Sequence, residues 1–250
     1  MSYETVLSEL NSEGVRTITL NRPDRLNAMN RALVRDAMQA FTDANQDRAT
    51  KAMIFTGAGR AFCAGDDRHE HVHPDTEAEA REFVEAIQDV TRAIVFGEKP
   101  VVGAINGWAV GGGFEWAINC DFSIWAESAR AFFPEVSLNL FVTGGVTALL
   151  PALVGLNTAR EMLFLGEKYD AAKLKQMGLA WRVVPDESLM KEAQAVARKL
   201  ADLPPLSLRA MRRTLYRTAV SDLDTALKLE SEATIRGFLD PETTRLLKNF

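Results

Sequence analysis

Apolar and polar positions alternate on both sides of the turn cluster Asn11-Ser12-Glu13-Gly14. That two-residue period predicts a β-hairpin from Val6–Leu10 and Val15–Leu20. From Asn30 the period lengthens, and Leu33, Val34, Ala37, Met38 and Phe41 share one helical face. Ala52-Met53-Ile54-Phe55 then forms a short buried strand that ends at Gly57-Ala58-Gly59. The rhythm returns: Phe83, Ile87, Val90 and Ile94 mark a helix, Lys99-Pro100 ends it, and Val101–Ile105 is a strand running into Asn106-Gly107. After Gly111-Gly112-Gly113 a short helix extends to about Cys120 and is followed by a strand at Phe122-Ile124-Trp125. Strands alternating with helices of this length predict an α/β fold with a largely parallel sheet. No internal sequence repeat is visible. From about Asp186 the pattern is helical, broken at Pro204-Pro205 and Asp240-Pro241, with no strand after Ala180–Val184. The reading is therefore a core over residues 1–190 and a helical C-terminal region over 191–250, which either completes the core or forms a subunit interface.

Composition narrows the function classes. The 250 residues are 47% hydrophobic and 25% charged, which suits one large globular domain. A formal net charge of -5, with the basic residues dispersed, argues against a nucleic-acid groove. The two cysteines, Cys63 and Cys120, form no CxxC or CxxH pair, so neither a disulfide framework nor a zinc site is indicated and a reducing cytoplasm is expected. Met1–Thr5 lacks a basic and apolar leader, and the apolar run Val146–Val154 is short and contains Pro151. Neither a cleaved signal nor a membrane span is expected.

The most informative stretch runs from Ile105 to Glu115, because three consecutive glycines separate a strand from a helix. Such a turn lets backbone approach a ligand closely, and the helix N-terminus offers unpaired N–H groups to an anionic oxygen. The spacing matches neither a GxGxxG dinucleotide loop nor a P-loop, and there is no GxSxG elbow. Taken alone, the glycines equally fit a tight turn with no ligand.

Three further motifs add to it, in order along the chain. They are Asn21-Arg22-Pro23 with Asn27-Ala28, the segment Gly57-Ala58-Gly59 through Phe62 to Ala64-Gly65-Asp66-Asp67, and Phe133-Pro134-Glu135. With Asn106-Gly107, the triple glycine, Glu115 and Cys120-Asp121, the chain resembles the crotonase family of enoyl-CoA hydratases and isomerases. The resemblance implies a spiral of ββα units acting on acyl-CoA thioesters. It implies an oxyanion hole from the backbone N–H groups of Ala64 and Gly112, and a catalytic pair, Glu115 and Glu135. Arg25, Leu26, Ala64, Gly65, Asp66, Asp67, Trp108 and Phe141 are implied as substrate-binding positions, and coenzyme A enters as part of the substrate, with no separate cofactor and no metal. The tail around Leu223, Ala226, Leu227 and Leu229–Ala233 resembles a trimerisation region, which implies a homo-oligomer, a trimer or a hexamer of two trimers. Lys248 is then a candidate phosphate contact, or else a solvated chain end.

The chain departs from the family after the second glutamate, where Leu138–Gly145 lacks the usual Pro-Gly turn. Phe141 and Val142 either reshape the acyl pocket or simply pack at the start of the next helix, and Trp108 is likewise a pocket wall or core. His69, His71 and His73 alternate as a metal-binding strand would, but Pro74-Asp75 and their polar neighbours read as a loop over the acyl chain. Two glutamates favour hydration, in which one group deprotonates water and another protonates carbon. The alternatives are an isomerase with a single-carboxylate proton shift and a non-catalytic acyl-CoA or RNA-binding relative.

Overall fold

The computed structural model describes residues 3–220 and 222–249. The expected hairpin, β1 (Val6–Leu10) and β2 (Val15–Leu20), pairs antiparallel, with Leu10 opposite Arg16. Helix α1 (Arg31–Gln46) starts where Asn30 accepts the Leu33 N–H at 2.8 Å, and α2 (Glu77–Val95) starts at an equivalent Thr76 cap with Glu77 and Glu79 in its first turn. Between and after them run β3 (Ala52–Gly57), β4 (Ala61–Cys63), β5 (Val101–Ile105), β6 (Trp108–Val110), α3 (Gly112–Asn119), β7 (Phe122–Ala126) and β8 (Arg130–Phe132).

The chain thus repeats a long strand, a short strand and a helix, which is the ββα spiral. Five strands of five or six residues and the short β10 (Arg182–Val184) build a six-stranded sheet in the order β1-β2-β3-β5-β7-β10, and all its pairs beyond the hairpin are parallel. The short strands build a second sheet, β4-β6-β8-β9, closed by β9 (Tyr169–Asp170). The hydrophobic pattern did not predict β4, β6 or β8.

Large side chains fill the space between sheets and helices. Phe55 meets Phe41 and Phe62 edge-on at centroid distances of 4.9 and 5.0 Å, and Phe114 stacks on Phe133 at 4.7 Å. The later helices are α4 (Val146–Val154), α5 (Leu156–Leu165), α6 (Ala171–Met177), α7 (Leu189–Ala201), α8 (Pro205–Ala219), α9 (Leu223–Leu239) and α10 (Pro241–Asn249). Helix α7 shares the main core, burying Leu189, Ala193, Ala197 and Ala201 at four-residue spacing. Helix α8 is tied down by buried Arg212, which pairs with Asp121 at 2.7 Å and donates to the carbonyls of Gly97 and Ile94. Helices α9 and α10 fold back over α2 and the segment after β8, where Ile235, Phe238 and Leu247 pack with Ala80, Val84 and Leu138. No described helix is long and apolar enough to cross a membrane.

Candidate active site

The second sheet is what gathers the motifs. Parallel pairing sets Cys63 beside Ala109 and Ala109 beside Ala131, so β4, β6 and β8 end side by side. The residues that follow those ends are Ala64-Gly65, Gly111-Gly112 and Pro134-Glu135, and all line a cavity of about 470 Å3. Three sequence-distant motifs meet because three adjacent parallel strands end at the same level.

Glycine is required at two of the three positions in the turn. Gly111 has φ 51° and ψ -123°, a left-handed conformation disfavoured for side-chain-bearing residues, and a Cβ there would sit 2.5 Å from Glu135 Oε1. Gly113 lies so close to β4 that a Cβ would approach the Cys63 carbonyl oxygen to 2.2 Å. Gly112 is the first residue of α3, where an N–H has no intrahelical acceptor and faces outward at the positive end of the helix dipole. The Ala64 N–H differs from that expectation: it donates to the Leu26 carbonyl at 3.1 Å, because the Arg22–Met29 loop, with Leu26 at φ 53°, lies directly against the segment after β4.

That loop is fastened at several points. Asn27 Nδ2 donates to the Ala58 and Ala61 carbonyls at 2.9 and 2.8 Å, and its Oδ1 accepts the Arg22 N–H. Arg22 pairs with Asp67 at 2.8 Å, and Asp67 also accepts the His69 N–H. Asp67, expected at the substrate, lines the cavity but its carboxylate is committed to holding this loop.

Both glutamates are buried, Glu115 at 1% and Glu135 at 8% exposure, and both line the cavity. Their surroundings differ. Glu115 Oε1 accepts the Thr143 N–H at 2.8 Å and Oε2 lies 2.5 Å from Thr143 Oγ1. Burial raises its pKa to about 7 against the opposing pull of those two donors. Glu135 opens the turn Glu135–Leu138, and its Oε2 is buried with no hydrogen-bond partner among the described residues. Burial, and then the neighbouring charge of Glu115, hold Glu135 well above the usual carboxylate range.

The remaining expected positions also come together. Arg25, Leu26, Asp66, Trp108 and Phe141 all line the cavity, and Trp108 and Phe141 are 37% and 43% exposed, walls rather than core. Val142 is buried and packs in the core. The three histidines diverge: His69 lines the cavity, His71 Nδ1 lies 3.2 Å from Asp66 Oδ2 with its ring stacked on Phe238, and His73 Nδ1 lies 2.9 Å from Thr244 Oγ1. Among the described residues no cluster of three metal-ligating side chains forms. Lys248 is exposed on α10, whose Leu247 faces the cavity.

Sequence reasoning did not find Lys168, Thr143 or Phe238. Lys168 reaches the cavity from the α5–β9 connection with its ammonium 5.3 Å from the Phe132 ring centroid and 6.0 Å from that of Trp108, a placement no local motif signals. Thr143 stands within the stretch where the family pattern lapses, and only the hydrogen bonds to Glu115 reveal its part.

A profile described as enoyl-CoA hydratase/isomerase matches residues 11–239, and the chain belongs to that family, the crotonases. It is 35% identical over 234 residues to a crotonyl-CoA hydratase of Syntrophomonas wolfei, covering 93% of this chain and 89% of that one. A 1,2-epoxyphenylacetyl-CoA isomerase of Escherichia coli is 33% identical, with 92% and 88% covered. An enoyl-CoA hydratase/isomerase crystal structure from Mycobacterium paratuberculosis superposes with a TM-score of 0.90 at 27% identity, over 100% of both chains.

Proposed function

We propose that the protein hydrates 2-enoyl-CoA thioesters. The observation that carries this reading is the pair of buried carboxylates on one cavity, held in unlike environments beside the N-terminus of α3. Two donors from Thr143 favour the carboxylate of Glu115, which suits a base. Glu135, buried and without a partner for Oε2 among the described residues, favours the protonated form, which suits an acid. Water loses a proton to Glu115 as its oxygen bonds to Cβ, the carbon–carbon π electrons move toward the thioester, and Glu135 delivers its proton to Cα. A return of the proton from Glu115 to Glu135 resets the site.

Negative charge grows on the thioester oxygen during this step, and the Gly112 N–H at the helix N-terminus stabilises it. The Ala64 N–H contributes either through a three-centre bond shared with the Leu26 carbonyl or once that carbonyl is released. Arg25 and Lys168 supply positive charge to the anionic coenzyme A portion. The similarity to a crotonyl-CoA hydratase supports the same reading.

The test is hydration of a short 2-enoyl-CoA, followed through loss of the conjugated-thioester absorbance. Glu115→Gln and Glu135→Gln are each expected to lower kcat by about 10²-fold or more while the protein stays folded. An unaffected rate in one folded variant, together with interconversion of 2-enoyl and 3-enoyl thioesters, would assign a single-base enoyl-CoA isomerase instead.

A further inference from the structure

Behind Glu115 lies a third buried carboxylate that the hydration reading does not use. Glu230 on α9 is 0% exposed. Its Oε2 accepts the Gly145 N–H at 2.7 Å, and its Oε1 accepts the Thr147 N–H at 2.8 Å and lies 2.7 Å from Thr147 Oγ1. Those amides open α4, so the carboxylate from α9 caps a helix whose own N-cap residue, Gly145, has no side chain to do so. The same short turn is held from two other helices. Gln88 Oε1 on α2 accepts the Gly144 N–H at 3.0 Å, and Asn119 Nδ2 on α3 donates to the Gly144 carbonyl at 2.8 Å. One residue earlier, Thr143 makes both hydrogen bonds to Glu115. A single turn, residues 143–147, therefore carries Glu115 on one side and Glu230 on the other.

We propose that Glu230 is a positioning residue for the acid–base chemistry of Glu115, acting by pinning the turn that presents Thr143 to the catalytic carboxylate. The proposal rests on the reading of Glu115 as the base. Both Glu230 oxygens are occupied by donors, so an amide in its place leaves an N–H2 group facing an N–H, and only one anchor survives. Burial, with the charge of Glu115 adding to it and the Thr147 and Gly145 donors opposing it, raises Glu230 to about 8. Two carboxylates joined by one turn titrate as a linked pair. The titratable groups facing Glu115 are Cys63 at the end of β4, Glu135 after β8, and Glu230; α2 and α4 bring the neutral Gln88 and Thr147 to the turn.

The test compares pH profiles of kcat/KM for wild type, Glu230→Gln and Glu230→Asp. Loss of an anchor is expected to loosen the two Thr143 donors that hold Glu115 down, which moves the limb that reports Glu115 to higher pH by about half a unit or more and lowers the plateau about tenfold. Aspartate withdraws the carboxylate from both anchors, so the plateau falls and the limb moves in the same direction. Gln88→Leu removes another anchor of the turn, together with the Nε2 donor 3.5 Å from Glu230 Oε2, and moves limb and plateau the same way, whereas exposed Glu232→Gln leaves both unchanged. A carbon-13 NMR titration of the glutamate carboxyls, with Glu115 assigned by its loss in Glu115→Gln, needs neither turnover nor a Glu230 variant. In wild type the Glu115 signal is expected to show a second inflection where Glu230 titrates. A folded Glu230→Gln with an unmoved limb, or a Glu115 signal that titrates in one step independently of Glu230, overturns the proposal. Linked titrations in a protein with no hydratase activity would overturn the hydration reading and leave the coupling of the two carboxylates standing.

Discussion

The N–H of Gly112 leaves the first turn of α3 toward the cavity, and a substitution there separates its role as a donor from any role in packing. Proline suits the first position of a helix, and the atoms that a Cβ would meet first are the Met29 Sδ and Cε, the movable end of a side chain, at 3.1 Å. Gly112→Pro deletes the donor and is expected to lower kcat/KM by about 10²–10³-fold while costing less than about 1 kcal/mol in a denaturant titration. Near-normal turnover in the folded variant would remove Gly112 from the oxyanion hole. At this scale the sequence named Glu115, Glu135 and Gly112 through their motifs. It could not name Thr143, whose function consists of two hydrogen bonds across 28 residues of chain. Nor could it show that Asp67 serves Arg22, since an ion pair is a property of two side chains brought together.

Strands β4, β6 and β8 are three residues long each, too short for a two-residue period to show, and glycines or prolines flank them. The long strands and α1, α2 and α3 were legible because burial on one or both faces imposes a period or an apolar run over five residues or more. What the short strands contribute is alignment, and Gly113 is where alignment is tightest. Gly113→Ala drives a methyl group against the Cys63 carbonyl and must part α3 from β4, with an expected loss of about 1–3 kcal/mol in unfolding free energy. The measurement is chemical denaturation, and a midpoint equal to wild type would show that the contact between α3 and β4 yields easily.

Three carboxylates of raised pKa lie within one core, and this makes the stability of the whole molecule depend on pH with an unusual sign. A carboxyl whose folded pKa exceeds its unfolded value of 4.5 binds more protons in the folded state, so its contribution is full below that value and declines as pH rises through the folded pKa. With Glu115 near 7 and Glu230 near 8, Tm is expected to fall between about pH 5.5 and about pH 8.5, and Glu230→Gln is expected to flatten that slope. A Tm that climbs over the same interval would contradict the assignment of raised values. Leu223, Ala226 and Leu227, read from the sequence as part of a trimerisation region, are buried within the chain itself. We also propose that the chain self-associates as a trimer or a pair of trimers, with Leu153, Leu156, Phe164 and Leu165 of α4 and α5, exposed at 49–66%, in the contact. Light scattering at micromolar concentration is expected to give three or six chains, and a monomer would reject this.

Hydrophobic periodicity determined the class of fold, the long elements and the helical tail, because burial repeats locally along a chain and is written in each segment separately. The ordered motifs determined the family and with it the two glutamates. Tertiary structure alone decided which short strands align those motifs, and that the Ala64 N–H meets the Leu26 carbonyl. It also decided that Glu230, 115 residues downstream of the glutamate it supports and on a helix that reads as ordinary tail, caps the turn behind Glu115. Those outcomes depend on distances between residues remote in sequence, which are fixed only when the sheets pair and the tail folds back.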